Sequence, residues 1–351
     1  MVWQRKLGYL IAVLGLAGLV GLSMPGALHG EDKVEPIKGS KATGKITEIL
    51  PDQVTINVRG KDQTYKTNEI AKVSFDAEPK ELDRARDFVA LRQFNQAESE
   101  LQKIDASKIT DARINQDLLF FKGLTAAKLS LSGMGNPREA AQFLAQAAKA
   151  DPKSHHSYKT AELLGELAMA LGLLEPANNY FSELAKAPFP ELKALAIYKQ
   201  GEVALSASKL PEARQFFQQI AGIVATDAEM IRLKNLAEVG LAVCDAREGK
   251  SEQALGKLQE LVSKHDSTDQ ALFARIYNAQ GLCFQALGQP RQALLAYLRT
   301  DLLFSSVPDL HAEALYQIAK LFPGEGQPQR GTDARQRLRT KYPSSPWNNK
   351  S

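Results

Sequence analysis

The stretch Tyr277–Tyr297 reads YNAQGLCFQALGQPRQALLAY, and its spacing decides the architecture. Tyr277, Gly281 and Phe284 lie four and three apart, so they share one face of a helix. Gly288 ends that helix, and Ala293 and Tyr297 line the inner face of a second one. A small residue suits the point where two helices cross closely, and an aromatic one suits the point where they splay. No residue in this pattern does chemistry, so the stretch points to a binding scaffold and leaves its ligand unnamed.

The same pattern recurs along the chain. The small residue of the second helix is Ala97, Ala140, Ala177, Ala213, Ala254, Ala293 and Ala334, at intervals of 43, 37, 36, 41, 39 and 41 residues. Four residues after each stands a large apolar one: Leu101, Leu144, Phe181, Phe217, Leu258, Tyr297 and Leu338. Twelve residues before most of the alanines comes the small residue of a first helix: Ala85, Gly165, Gly201, Ala242 and Gly281. In the second repeat Gly123 takes that part, and the loop Ser132–Asn136 is inserted before Pro137. A single pair cannot bury its apolar face, and stacked pairs bury a continuous core.

These residues resemble the tetratricopeptide repeat (TPR) family over roughly Pro79–Pro346. The resemblance implies a mostly α fold, a TPR-like α-solenoid of about seven helix pairs. The early tryptophan of the motif is replaced by Leu119, Ala161, Ile197 and Tyr277, and the intervals exceed the family's roughly 34 residues. Both departures bear on superhelical pitch and leave the helix-pair architecture standing. The final helix, about Thr332–Lys341, carries Arg335, Arg337, Arg339 and Lys341, the polar outer face of a terminal cap. The run Pro323–Pro328 before it reads as a flexible loop, and residues 347–351 as a tail.

Ahead of the helices the period changes. Ile46 and Ile49 bracket one strand, Val54, Ile56 and Val58 alternate with polar residues in a second, and Thr64–Lys66 and Lys72–Phe75 supply two more. Asn68-Glu69-Ile70 forms a helical turn or tight corner. Four short strands over residues 43–76 suit a small SH3-like or Sm-like β module, marginal alone and expected to pack on the first helices. Residues 31–42, polar and without an apolar period, read as a linker.

Residues 1–30 read as an export signal. Arg5 and Lys6 precede an apolar run from Leu7 to about Leu22, and Pro25 breaks the helix before Glu31 and Asp32. An uncleaved signal anchor is the alternative, because the uncharged run is long enough to span a bilayer. The glycines within it and Pro25 favour cleavage. Either way the remainder of the chain is exported, to the periplasm or cell envelope. No cysteine lies near the cleavage region, which excludes a lipid-anchored lipoprotein.

Across 351 residues the formal charge is +4, with no basic stripe, and nucleic acid is not an expected partner. Membrane contact is expected only through an uncleaved N-terminal segment. Cys244 and Cys283 occupy equivalent sites on neighbouring first helices, whose axes pack about 8–10 Å apart, too far for a disulfide. Two buried free thiols are expected. Of five histidines only His155 and His156 are adjacent, and neighbouring helical positions point apart, a poor chelating pair with no acid at ligand spacing. There is no phosphate-binding glycine loop, nucleophile elbow or zinc-protease motif. The expected catalytic, metal and cofactor sets are therefore empty.

The TPR resemblance places the ligand along the inner face of the first helices. Carried across, the groove positions include Arg86, Phe120, Lys128, Glu162, Glu166, Met169, Tyr198, Glu202, Arg247, Asn278 and Gln285. Glu162, Glu166 and Glu202 form an acidic middle with Tyr198 as an aromatic anchor, a groove for a basic or mixed peptide. The chain looks similar to bacterial envelope TPR scaffolds, including its ending Leu338-Arg339-Thr340-Lys341-Tyr342-Pro343. The expected function is a non-enzymatic exported scaffold for protein or peptide partners. The alternative is an enzyme or enzyme subunit acting on envelope polymers, with the β module as recognition domain.

Overall fold

Within each helical repeat one turn geometry recurs, and it follows from a single backbone position. In the computed structural model, which describes residues 31–225 and 227–350, a left-handed residue closes the first helix of each of the first six pairs (Arg92, Gly133, Gly172, Ser208, Gly249 and Gly288), and Gly326 closes the 3-10 turn that follows the first helix of the seventh, with φ between 58° and 92°. The next residue's N–H then donates to a carbonyl five residues back, as from Gln289 to Phe284 (2.8 Å) and from Lys209 to Ala204 (2.9 Å). This is the Schellman arrangement, which satisfies carbonyls that the helix end leaves open.

The turns join fourteen helices into seven pairs. They are α1 (Lys80–Ala90) with α2 (Phe94–Gln102), α3 (Ala112–Leu131) with α4 (Pro137–Ala150), and α5 (Ser157–Ala170) with α6 (Leu174–Leu184). There follow α7 (Pro190–Ser206) with α8 (Leu210–Ala221), and α9 (Ala228–Arg247) with α10 (Ser251–Lys264). The last are α11 (Gln270–Ala286) with α12 (Pro290–Leu303), and α13 (Pro308–Leu321) with α14 (Pro328–Lys341). All seven repeat alanines and the large residues four positions on are buried. The crossing is tight where expected: a Cβ on Gly281 would meet the Tyr297 ring at 2.5 Å, one on Gly165 the Phe181 ring at 2.4 Å, and one on Gly201 the Phe217 ring at 2.6 Å. Gly240 of α9, which the repeat pattern did not mark, presses on the opposite edge of Phe217 at 2.7 Å and so seals the fourth pair to the fifth.

The β module has five strands: β1 (Asp32–Pro36), β2 (Ala42–Ile49), β3 (Gln53–Val58), β4 (Lys61–Lys66) and β5 (Ile70–Ser74). They form one antiparallel sheet in the order β4-β3-β2-β1-β5, with a 3-10 turn at Thr67–Glu69 before β5. The expected linker over 31–42 is thus replaced by a strand in the middle of the sheet. Val34 is fully buried, but β1 is too short, and too rich in charge, to display a period of two. Asp32 fixes it in place by accepting from the backbone of Ile46 and Asp76 and from Arg113 of α3. The sheet's apolar face, with Val34, Val54, Ile56, Val73 and Phe75, shares one core with Leu82, Leu101, Ile114 and Leu118 of the first helices. Asn68 also reaches Glu191 at the start of α7 (2.6 Å).

At the other end, the run expected as a flexible loop is a 3-10 turn, Phe322–Glu325, and α14 starts at Pro328 rather than Thr332. The tail makes another 3-10 turn at Pro346–Asn349, and Trp347 packs against Tyr316 with ring centroids 5.2 Å apart. The array also curls back on itself. A Cβ on Gly133, in the inserted loop between α3 and α4, would lie 2.4 Å from the Lys341 carbonyl and 2.7 Å from the Tyr342 ring. The second and seventh pairs therefore touch. Among the described residues no helix is long and apolar enough to cross a membrane, and the expected signal segment, 1–30, lies outside them.

Candidate binding groove

Side chains two repeats apart can meet only on the inside of a bend, and such a meeting identifies the inner face. Arg275 of α11 contacts Glu202 of α7 at 2.7 Å, although α9 stands between their repeats. From there a ladder of charges runs back along the first helices. Lys199 bridges Glu202 (3.2 Å) and Glu166 of α5 (3.4 Å), and Lys128 of α3 reaches the other Glu166 oxygen (3.3 Å). Of the expected groove residues, Lys128, Glu166, Tyr198 and Glu202 are brought together by this ladder.

Its electrostatics follow from pairing in a shielded place. Burial pushes the Glu202 carboxyl up, yet Arg275 and Lys199 outweigh that and hold it below its ordinary range. Glu166 is likewise lowered, against burial, by Lys199 and Lys128. Lys199 and Arg275 are held charged by the carboxylates they face, against a burial that opposes the charge. Glu162 stands apart and is held by Lys159 at 2.7 Å. The acidic middle read from the sequence is therefore already neutralised, by Lys128, Lys159, Lys199 and Arg275. The last three were not among the expected groove residues, and the preference for a basic peptide loses its basis.

Tyr198 is not an open anchor either. Only 3% of it is exposed, its ring leans on Phe217 (centroids 5.9 Å), and its hydroxyl donates to Glu202. Arg247 is exposed and donates to the Leu205 carbonyl (2.7 Å). Gln285 accepts from the Tyr297 hydroxyl (2.9 Å) and donates to Gln317 of α13. Asn278 donates to the Leu310 carbonyl (2.9 Å) and to Glu313 (3.0 Å). The Asn278 Oδ1 atom is buried without a partner, and so is Nε of Arg275, one turn earlier on α11.

Three more inner-face candidates are accounted for by packing. Met169 is partly buried beside the core of α5 and α6. Phe120 is buried and stacks on His156 with centroids 3.7 Å apart. Arg86 is buried between Glu78 (2.6 Å) and Asp117 (2.5 Å). Asp117, from α3, also meets His156 at 2.6 Å. The histidine pair thus gains an acid that sequence spacing could not reveal. Asp117, His155 and His156 are the group among the described residues able to hold a metal ion, their ligand atoms lying within 4.8 Å of one another. Cys244 and Cys283 are both buried free thiols, and burial pushes the Cys283 thiol up to about 11, which keeps it protonated and unreactive.

No protein-family model matches the sequence, and no curated protein does. Solved structures do resemble it. A tetratricopeptide repeat protein from Parabacteroides merdae aligns with a TM-score of 0.53 at 18% identity, covering 75% of this chain and 92% of that one. A Rap protein complexed with competence and sporulation factor aligns with a TM-score of 0.54 at 17% identity, covering 77% and 76%. NprR in complex with its cognate peptide NprX gives 0.50 at 14% identity, covering 74% and 76%. Likeness at such identities speaks to architecture, and it agrees with the seven registered helix pairs: this chain has the tetratricopeptide-type fold.

Proposed function

We propose that the chain is an exported, non-enzymatic scaffold of the cell envelope that holds a peptide or a segment of a partner protein against the inner face of its first helices. The observation that carries this reading is the pair of buried, unpartnered polar atoms on α11. Asn278 Oδ1 is an acceptor suited to a backbone N–H, and Arg275 Nε is a donor suited to a carbonyl or carboxylate. An unmade hydrogen bond in a buried place costs about 1–3 kcal/mol, which a bound main chain would recover. The Rap protein and NprR structures, each with a bound factor or peptide, support a ligand on such a fold. Because the three carboxylates of the inner face are already paired with four cations, the ligand is read through backbone and mixed polar contacts rather than through an acidic surface.

The test is affinity capture from the source cell's envelope fraction with wild type, Asn278→Ala and Arg275→Gln. A stoichiometric partner retained by wild type and lost by both variants, with circular dichroism unchanged, supports the groove. Equal capture by all three sinks it. Tyr198 is unsuitable as a probe because its replacement would damage the core.

A further inference from the structure

We propose that Asp117, His155 and His156 form a binding site for a divalent transition metal, with Zn2+ the best fit to two imidazoles and one carboxylate. The site lies where the first three repeats meet. Asp117 comes from α3, the histidines from the loop that leads into α5, and Arg86 and Glu78 from α1 and the residues just before it.

Four features favour a cation there. First, the ligand atoms already lie within 4.8 Å of one another. Zinc bonds of about 2.0–2.2 Å set ligand atoms roughly 3.4 Å apart in a tetrahedron, so sub-ångström to ångström movements complete the shell. Second, the carboxylate is oriented from behind. Its Oδ2 accepts from Nε (3.0 Å) and Nη2 (2.5 Å) of Arg86, which leaves Oδ1 facing His156. Such outer partners fix the geometry of metal ligands. Third, Glu78 takes two hydrogen bonds from Arg86, at 2.6 and 2.7 Å. Two carboxylates thus face a single guanidinium, an excess of one negative charge beside the histidines. Fourth, His155 Nδ1 is buried with no hydrogen-bond partner.

A purely structural network explains the Arg86, Asp117 and His156 contacts. It does not explain the orphaned nitrogen of His155, which takes part only through ring contact with His156. For the metal to enter, a neutral His156 ring carries its single proton on Nδ1, which leaves Nε2 free to coordinate beside Asp117 Oδ1. The remaining position is open to water or to a side chain of a partner.

The experiment is titration of the full chain with Zn2+ alone, followed by calorimetry, with Co2+ absorption to report the ligand field. Wild type is expected to take up one Zn2+ per chain at micromolar concentration. His155→Ala, which removes no hydrogen bond, is expected to weaken binding about ten-fold or more, and His156→Ala to do so at least as strongly. No saturable binding to wild type overturns the proposal. Binding unchanged in His155→Ala also overturns it, because the zinc would then reside elsewhere.

Discussion

The left-handed residue in the turn of each pair is glycine in five pairs and Arg92 or Ser208 in the other two. A side chain at such a φ is strained by about 1–2 kcal/mol, whereas glycine is not. Ser208 is exposed and its φ is 58°, so Ser208→Gly should raise thermal stability by up to about 1 kcal/mol in a melting experiment. The close crossing predicts the opposite sign at Gly281. Gly281→Ala drives a methyl into the Tyr297 ring and should cost about 1–3 kcal/mol in denaturant unfolding. Combining it with Tyr297→Leu should restore part of that loss, and strictly additive costs would count against the contact. The small-and-large code was legible in the chain because steric fit is local and repeats. Tyr198 was misread for the reverse reason: its position is that of a groove residue, but Phe217 and Arg275, distant in sequence, enclose it.

At the scale of elements, β1 is the main correction. Its five residues, DKVEP, carry one buried aliphatic side chain and three charges, too little for periodicity to register. Strand pairing supplies what pattern does not, since β1 bonds to β2 on one side and β5 on the other. A linker could be removed without effect. Deleting 31–41 should instead unfold the sheet and expose Leu82, Ile114 and Leu118, seen as faster amide exchange through 42–118. Unchanged exchange there would show that β1 is dispensable. The module's place on the first repeat was foreseeable from size alone, because so small a sheet needs a partner surface.

For the whole molecule the decisive contacts join distant pairs: Arg275 with Glu202 across the groove, and Lys341 and Tyr342 with Gly133 at the ends. Glu202 and Glu166 are held below their ordinary pKa, so the stability they lend is complete above the unfolded value, near 4.3, and is lost as acid protonates them in the folded state. Small-angle scattering should therefore show the array expanding as pH falls from about 4 toward about 2, the folded-state value of Glu166, and Arg275→Ala should show part of that expansion at neutral pH. A radius of gyration constant through both changes would refute the ladder as a brace. Gly133→Val, which has neither the φ nor the room, should open the contact with α14 and lengthen the particle in the same measurement.

By itself the sequence determined the helix pairs, their number, the residues at the crossing within each pair and the burial of both cysteines, since these depend on steric fit between neighbours in a repeating chain. Only the tertiary structure decided the curvature that brings α7 to α11, the pairing that neutralises the acidic middle, the strand hidden in the polar opening, and the meeting of Asp117 with His155 and His156. Each of those joins residues whose separation in sequence carries no period, so nothing local records them.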